Sequence, residues 1–262
     1  MIYYYGDLIM FKAIRILILL VILAAVALGT WRAKTRSVEW KYTLPVNVFL
    51  INADNSRVSA DYIRGLTPAD FKPIETFMKE EAARYGHEAR ASIEIKLAGV
   101  LEQQPPAPPM ASSALEAIIW SLKMRWWAYR NAEVNGAGLQ VKIFLLYFDP
   151  AQTPKLDHST GLQKGLLGRV NVFAAQHMAN QNNVVIAHEF LHTLGASDKY
   201  DLANNQPIYP QGYAIPDQQP LFPQRFAEIM AGRTPTSQTK AEIPAGLGET
   251  LIGKETAVEI NW

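Results

Sequence analysis

The sequence predicts an α/β protein in which helices pack against a mixed, mostly parallel β-sheet. Segments rich in β-branched residues alternate with segments that carry helix-start signals, and this alternation is typical of parallel sheets. Residues 141–148 form an almost unbroken apolar run, which predicts a strand buried on both faces. The length of 262 residues and the hydrophobic content of 49% suffice for a sizeable core.

The composition excludes several functional classes. The chain has no cysteine, which excludes disulfides, thiol catalysis and thiolate metal sites. Any metal ion must therefore be bound by histidines and carboxylates. The formal net charge is +1, so no global basic surface favours a nucleic-acid partner, and we expect none.

An apolar segment stands near the amino terminus. Residues 16–29 contain no polar side chain, and basic residues lie on both sides. A helix over this run is roughly 21 Å long, shorter than the hydrocarbon core of about 30 Å, although the flanking basic side chains can reach outward to the interface. We expect an uncleaved membrane anchor. A signal peptide cleaved near residues 25–27 and a buried helix of the folded domain are the alternatives.

The chain therefore divides into an N-terminal membrane anchor or signal segment, residues 1–36, and one folded domain, residues 37–262. Both membrane-related interpretations place the folded domain outside the cytoplasm. It is expected there as a single-pass protein of the cell membrane, held through the N-terminal segment, or as a secreted protein after signal cleavage.

The folded domain begins with a predicted strand, helix and strand. Residues 46–52 are a short β-branched run, and residues 91–97 alternate between apolar and polar side chains, as strands do. Between them, Thr67 and Pro68 suit the N-cap and the first position of a helix. We expect this helix to cover residues 67–85 and to stop at the glycine that follows.

A proline-rich loop, a tryptophan-rich helix and further strands come next. Residues 103–109 are too rich in proline for a helix or a central strand. Ser112 or Ser113 is the predicted cap of a helix that ends near residue 131. Its tryptophans are expected in the core or at a helix–sheet contact, with a surface for stacking substrate as the alternative. Beyond strand 141–148, residues 169–174 alternate and predict an edge strand.

The chemistry is concentrated at His188, Glu189 and His192. On a helix, His188 and His192 lie one turn apart on the same face, where two imidazoles can bind one zinc ion. Glu189 is rotated by about 100° from His188, so it can reach a water molecule at the metal without binding the metal itself. We expect one catalytic zinc ion at this site. A pair of histidines satisfied by surface or core contacts is the alternative.

A catalytic zinc ion needs a third protein ligand, and the residues after His192 supply a candidate. Gly195 predicts the end of the helix, because glycine takes the left-handed conformation of such a stop at little cost. Asp198 follows three residues later, and the turn can carry its carboxylate to the metal. The complete pattern is H-E-x-x-H-x-x-G-x-x-D.

His188, Glu189, His192 and Gly195 resemble the extended zinc motif of the metzincin metalloproteases. Most metzincins have a third histidine where this chain has Asp198, whereas the snapalysin type of small metzincins has an aspartate there. The resemblance therefore implies Asp198 as the third zinc ligand, with a departure from the commoner pattern at this position.

A second resemblance to metzincins concerns residues 228–233, with the sequence EIMAGR. Metzincins have a tight turn with a methionine beneath the zinc-binding histidines, and Met230 matches it. A lone methionine at the end of an amphipathic helix is the alternative. The resemblance covers about residues 182–233 and implies a metzincin-like or zincin-like sandwich with an active-site helix. In that family an edge strand, here residues 169–174, pairs with an extended substrate.

The resemblance implies a zinc metalloendopeptidase that hydrolyses peptide bonds in peptides or proteins. Glu189 is the expected general base, and Tyr200 or Tyr213 is the expected stabiliser of the oxyanion, unless both tyrosines only pack. One alternative is a zincin in which Glu228, on a following helix, is the third ligand; Asp198 at the metzincin spacing argues against it. Another is a non-catalytic, membrane-tethered metal-binding module that docks partners, and the intact Glu189 argues against that.

Three further histidines and one more predicted helix lie outside the motif. His158 is expected in solvent or at the rim of the site, and His177 at the surface or in contact with substrate. His87 follows a glycine at a helix end, where a positive charge is favourable. Beyond residue 201 one helix is predicted, at residues 224–230.

Overall fold

A computed structural model of the chain describes residues 12, 14–21, 38–87, 92–109, 113–134 and 139–262. Residues 14–21 are helical with exposed side chains. Most of the predicted anchor lies outside the described residues, as do the cleavage site at residues 25–27, Ala91 and Ser112. Within the described ranges, no helix combines the length and the apolar character needed to cross a bilayer.

The prediction of an α/β fold with a mostly parallel sheet is confirmed. Within the described residues the main sheet has five strands in the order β2-β1-β3-β5-β4. The first four of these pair in parallel, and β4 pairs with β5 in the antiparallel direction. The strands are β1 Leu44–Asn52, β2 Ile93–Val100, β3 Val141–Phe148, β4 Thr160–Leu162 and β5 Leu167–Phe173.

Residues 169–173 of the predicted segment lie in a strand as predicted, but the prediction that this strand is at the edge of the sheet is wrong. Residues 169–174 were expected at the edge of the sheet, but β4 covers the first part of β5 through the pair of Thr160 with Arg169. The edge is therefore β4. A strand of three residues shows no apolar alternation, and its central Gly161 has a low strand propensity, so the sequence pattern does not reveal it.

The helices agree with the predictions in part. The predicted helix 67–85 is a 3-10 turn, Pro68–Phe71, followed by an α-helix that ends before Gly86. Ser113 is the N-cap of the tryptophan-rich helix and bonds to the backbone N–H of Glu116. The helices of the folded domain are α1 Arg57–Gly65, α2 Lys72–Arg84, α3 Ala114–Asn131, α4 Ala179–Leu194 and α5 Lys254–Glu259.

The predicted helix at residues 224–230 does not form. Residues 227–231 are almost completely buried, so this segment has no polar face to offer to solvent, as a surface helix requires. Its backbone instead bonds to other segments: Ile229 N–H donates to the Leu251 carbonyl, and the Met230 carbonyl accepts from Lys199 N–H. Three pairs of two-residue strands lie between residues 200 and 251. They are β6 Tyr200–Asp201 with β7 Gln206–Pro207, β8 Ala227–Glu228 with β11 Thr250–Leu251, and β9 Thr234–Pro235 with β10 Ala241–Glu242.

Helices cover both faces of the sheet. Alternate residues of a strand point to opposite faces, and the two cores divide accordingly. One core joins Val48 and Ile143 to residues of α2 and α4, and the other joins Phe49 and Phe144 to α3. The tryptophans of α3 are not all in the core as expected. Trp120 is buried and Trp127 packs edge-on against a sheet phenylalanine, but Trp126 is 62% exposed.

Candidate metal centre

Helix α4 presents His188 and His192 on one face, one turn apart. The opposite side of the helix is anchored in the larger core by buried Ala187, Phe190 and Leu194. The histidine rings lie with their centroids 4.7 Å apart, and their Nε2 atoms are separated by 3.1 Å. The fixed helix therefore holds two imidazole nitrogens close enough to bind one metal ion.

The hydrogen bond made by Nδ1, the second nitrogen of each ring, determines the tautomer. His188 Nδ1 lies 2.9 Å from the Ile229 carbonyl, and His192 Nδ1 lies 2.8 Å from the Ala196 carbonyl. Because a carbonyl oxygen can only accept, both Nδ1 atoms carry the proton and donate it. In the neutral rings the lone pair is then on Nε2, the nitrogen that faces the site, and this arrangement is typical of histidines that bind metals.

Asp198 completes a triangle with the two histidines. Gly195 ends α4 with a φ of +112°, as predicted, and turns the chain back beneath the helix. Asp198 Oδ1 thereby lies 3.2 Å from His188 Nε2 and 3.1 Å from His192 Nε2. Ligand bonds of about 2.0–2.2 Å in tetrahedral geometry place neighbouring ligand atoms roughly 3.4 Å apart. The three atoms match one face of a tetrahedral metal site to within a few tenths of an ångström.

The charges at this triangle favour a cation between the three groups. Burial lowers the pKa of His188, but the hydrogen bond to Asp198, the charge of Glu189 and the Ile229 carbonyl outweigh burial and raise it to about 9. Burial raises the pKa of Asp198, but the hydrogen bonds to both histidines hold it well below its usual range. Because histidine binds a metal ion through a neutral ring, binding at His188 would release any proton held on Nε2.

Glu189 is a buried carboxylate that faces the site. Its side chain is only about one-twentieth exposed, and Oε2 has no hydrogen-bond partner among the described residues. Its carboxylate lies within 4.8 Å of the ligand nitrogens of His188 and His192. Burial raises the pKa of Glu189, and the two histidines lower it. An unpaired buried oxygen is costly unless a water or a substrate group binds it, so Glu189 is available for proton transfer.

Met230 lies in a turn beside the histidines. The turn follows β8, and Met230 is completely buried. The carbonyl of Ile229 accepts the Nδ1 proton of His188, and the carbonyl of Met230 accepts from the backbone N–H of Lys199. The turn thus holds one histidine ring and the residue that follows Asp198.

Glu228 is engaged away from the histidines. Its buried carboxylate accepts hydrogen bonds from Thr256 Oγ1 at 2.7 Å, Ala231 N at 3.0 Å and Gly253 N at 3.1 Å. It lines neither of the two cavities at the site. The structure therefore does not bring Glu228 to the position of a third metal ligand. It ties β8 to the start of α5 instead.

Of the two candidate tyrosines, Tyr200 adjoins the site and Tyr213 does not. Tyr200 lines both cavities at the histidines, and burial, together with the charges of Asp198 and Glu189, raises its pKa to about 12. Its hydroxyl therefore keeps its proton and can donate it as a hydrogen bond. Tyr213 packs between the rings of Tyr209 and Phe222.

Two cavities share part of their lining at Glu189 and are together termed the cleft. The larger has a volume of about 420 Å³ and a mainly apolar wall that includes Phe173, Met178 and Ile243. The smaller, of about 330 Å³, lies along β4 and reaches Asp198. The residues that line both cavities are His158, Ser159, His188, Glu189 and Tyr200. Of the other histidines, His158 is thus at the rim of the site, as one interpretation of the sequence predicted, and His177 lines neither cavity.

Gly161 is a residue of the site that the sequence analysis missed. Its place in β4 brings the edge strand against the site helix, where a Cβ atom would lie 2.6 Å from the Glu189 carbonyl oxygen and closer still to His192 Cβ. The only signal in the sequence was an isolated glycine in an extended segment, which often marks a close backbone approach. Strand β4 and helix α4 can approach this closely only because residue 161 has no side chain.

The replacement Gly161→Ala is expected to lower the free energy of unfolding by about 1–3 kcal/mol, because the new methyl group overpacks the contact between β4 and α4. It should also weaken zinc binding, since the displaced backbone carries His192. Gly65→Ala is the matched control, because a Cβ atom there meets nothing within 4 Å. Urea denaturation and zinc titration measure the two effects. Equal stability and affinity in both variants would contradict the close approach.

Lys199 fixes the loop that carries Asp198. Its side chain is buried, and its ammonium group donates to the Ser197 carbonyl at 3.0 Å, to Ser197 Oγ at 2.9 Å and to the Glu259 carboxylate at 2.8 Å. Burial raises the pKa of Glu259, but hydrogen bonds from Lys199 and Ser197 outweigh it and lower the pKa overall. The ion pair thus connects the metal-site loop to α5.

Glu259→Gln is expected to lower the free energy of unfolding by about 2 kcal/mol, less than at a fully buried pair because Glu259 is partly exposed. Because its folded-state pKa is lowered, the stabilisation is complete above the ordinary value of 4.5 and is lost as the pH falls through the folded value. Urea denaturation between acidic and neutral pH should therefore show the gap between wild type and variant closing only in acid. Arg57→Gln, in an exposed ion pair, is the control and should change little.

Comparisons with known proteins do not assign the chain to a family. No protein-family model matches the sequence, and no curated protein matches it. Among solved structures the chain is similar to wild-type OgpA from Akkermansia muciniphila, with 13% sequence identity and a TM-score of 0.36. The match covers 82% of this chain and 59% of the OgpA chain, so this chain spans less than two thirds of that protein. A similarity of this size carries no functional inference.

Proposed function

We propose that the protein is a zinc-dependent metallopeptidase that hydrolyses peptide bonds, and that it is a metzincin-like enzyme. The observation that carries the proposal is the triangle of His188 Nε2, His192 Nε2 and Asp198 Oδ1, with sides of 3.1–3.2 Å. Glu189, with an unpaired buried oxygen, faces the same site. The buried turn at Met230, bonded to His188 through Ile229, supports the metzincin assignment.

The donor set suits zinc. Two imidazole nitrogens and one carboxylate oxygen, with the rest of the site open to the cleft, correspond to a catalytic zinc site of three protein ligands. A zinc ion bound there supplies Lewis acidity, which makes a water nucleophile available near neutral pH and polarises a carbonyl group. The ionised Asp198 offsets one of its two charges, so the site is milder than one with three histidines.

Glu189 performs the proton transfer in this proposal. Its carboxylate accepts the proton of the attacking water on an oxygen and later gives it to the nitrogen of the leaving amine. Burial without a fixed hydrogen-bond partner raises its affinity for this proton relative to a solvated carboxylate. The protonated Tyr200 hydroxyl, on the wall of both cavities, is suited to stabilise the developing oxyanion by donating a hydrogen bond.

A peptide substrate is favoured by the edge strand beside the site. Strand β4 ends the sheet, and residues 158–161 line the smaller cavity next to His192 and Asp198. An extended peptide can add to such an edge through main-chain hydrogen bonds and run across Glu189 into the larger, apolar cavity. The metzincin resemblance assigned this role to residues 169–174, and in the folded chain β4 takes the position instead.

The alternatives are a zincin with Glu228 as third ligand and a non-catalytic metal-binding module. The first is disfavoured because the Glu228 carboxylate already accepts three hydrogen bonds away from the histidines. The second is disfavoured by Glu189, since simple metal binding gives no reason for an unpaired carboxylate in the cleft.

The test is the metal content of the purified full chain together with cleavage of a mixed peptide library. One zinc ion per chain and cleavage at defined peptide bonds are expected. Removal of the metal by a chelator should abolish cleavage, and added zinc should restore it. A chain that binds zinc stoichiometrically but cleaves no peptide in the library supports the binding module. A chain that retains no zinc contradicts both proposals.

A further inference from the structure

Helix α3 is apolar on two opposite faces. Its inner face packs against the sheet through buried Met124 and Ala128. Its outer face carries six large hydrophobic side chains, each between 43% and 77% exposed. This set, termed the apolar stripe, consists of Leu115, Ile118, Ile119, Leu122, Trp126 and Tyr129.

The apolar stripe is one continuous surface. Leu115, Ile119, Leu122, Trp126 and Tyr129 are spaced by four and three residues in alternation, which keeps them on one side of a helix. The 18 residues of α3 extend over roughly 27 Å, so the stripe runs nearly the length of the helix. Single exposed hydrophobic residues are ordinary, but a continuous apolar patch indicates a binding surface.

The edge of the apolar stripe is positively charged. Lys123 and Arg130 are exposed, and neither has a carboxylate within ion-pair distance in the part of the chain that the structure describes. The one acidic residue of α3, Glu116, is held by Ser113 in the capping box. Trp126 stacks on Tyr129 with ring centroids 6.0 Å apart, and the Arg130 guanidinium lies 5.9 Å from the Trp126 ring.

We propose that the apolar stripe docks on an anionic lipid bilayer, with the side chains of the stripe in the boundary between headgroups and acyl chains. Aliphatic and aromatic side chains beside unpaired cations are the chemistry of helices that lie in the membrane interface. A second copy of the chain fits less well. It would bring further cations to the same edge, whereas anionic headgroups supply the missing negative charge.

The N-terminal segment supplies an independent argument for the same occupant. Residues 14–21 are helical, and their hydrophobic side chains are 48–65% exposed. Residues 16–21 belong to the apolar run that continues to residue 29, which is flanked by five basic residues. The eight residues 30–37 span at most roughly 30 Å when extended, so a bilayer that holds the run stays within reach of the folded domain. Two weak membrane contacts in one chain give stable binding where one gives marginal binding.

Docking through α3 leaves the metal centre free. Helices α3 and α4 cover opposite faces of the sheet, since α3 packs on Phe49 and Phe144 and α4 packs in the other core. A chain that lies on lipid through the apolar stripe therefore turns the face of the sheet that bears α4 away from the bilayer. The inference concerns a surface remote from His188 and His192 and does not depend on the proposed hydrolysis.

The absence of cysteine permits a local test with single nitroxide labels on the full chain. One label is placed on the apolar stripe by Leu122→Cys, and the matched control is Val258→Cys, at an exposed apolar residue of α5. The protein is added to vesicles of phosphatidylcholine with about a quarter of phosphatidylglycerol. Oxygen, which concentrates in lipid, should relax the Leu122→Cys label strongly, and a water-soluble nickel complex should relax the Val258→Cys label.

The lipid dependence and the alternative occupant are tested in the same samples. In vesicles without phosphatidylglycerol the constant for partitioning of the Leu122→Cys label into lipid should fall about fivefold for each cation that loses its anionic partner. A Leu122→Cys label as exposed to nickel as the control, on vesicles that carry the protein, overturns the proposal. Spin–spin broadening of that label also overturns it, in favour of a second copy. Ile118→Cys repeats the measurement if Leu122→Cys lowers the yield of folded protein.

Discussion

Glu189→Gln is expected to retain one zinc ion and to lose peptide hydrolysis by roughly two to four orders of magnitude, the usual effect of a positioned proton acceptor. The amide has the shape of the carboxylate but cannot take a proton from water. The ligand triangle of His188, His192 and Asp198 does not include Glu189, so metal affinity should change little. The measurements are single-turnover cleavage of a peptide selected from the library and the zinc content of both proteins.

The matched control for this loss is Glu81→Gln. Glu81 is also a buried carboxylate, but it is held by Arg84 and by the backbone N–H of Ile252, away from the cavities at the histidines. The control should lower stability and leave the cleavage rate per folded molecule unchanged. If Glu189→Gln cleaves peptides at the wild-type rate, Glu189 is not the general base, and the binding module becomes the better interpretation.

Asp198→Ala is expected to weaken zinc binding by more than the roughly 10- to 100-fold that the loss of an outer-shell partner causes. Asp198 Oδ1 lies within 3.2 Å of both Nε2 atoms. Its carboxylate carries the only negative charge in the triangle and so offsets part of the positive charge of the metal ion. Asp198→Asn keeps the shape and removes the charge, so an intermediate affinity is expected. Competition titrations with a coloured zinc chelator measure all three proteins.

Glu228→Gln separates this prediction from the alternative ligand set. The variant keeps an oxygen that can accept from Thr256 and Gly253, so it should fold with reduced stability and bind zinc almost as wild type does. A large loss of affinity for Glu228→Gln, with Asp198→Ala close to wild type, would reverse the ligand assignment. Thermal unfolding of the metal-free proteins shows whether any loss of affinity reflects loss of the fold.

The arrangement of the candidate metal centre could be predicted from the sequence because its residues are close together in the chain. Helix geometry alone puts His188 and His192 on one face, and a glycine at position 195 ends the helix where the left-handed conformation is needed. Asp198 then returns to the histidines within one turn. Each of these steps depends on neighbours within a few residues, and local conformational preferences determine them.

Other features depend on segments that meet only in the folded chain. The helix expected at residues 224–230 is replaced by a buried strand and a turn, because distant carbonyl and amide groups satisfy its backbone. Glu228 is directed toward α5, Gly161 brings the edge strand against α4, and Tyr200, not Tyr213, reaches the cleft. The partners of residues 224–230, Glu228 and Gly161 are far away in sequence, so periodicity and propensity carry no information about them.

The sequence by itself determined the α/β class, the buried central strand and the local H-E-x-x-H helix with its stop at Gly195. Only the tertiary structure decided which strand forms the edge, where the Glu228 carboxylate is directed and which face of α3 remains uncovered. The pattern of α3 is apolar on both sides, so the sequence shows that two surfaces are suited to burial without showing which one the sheet covers. Hydrophobic periodicity records the preference of a side chain for burial, and only the packing of distant segments supplies the surface that buries it.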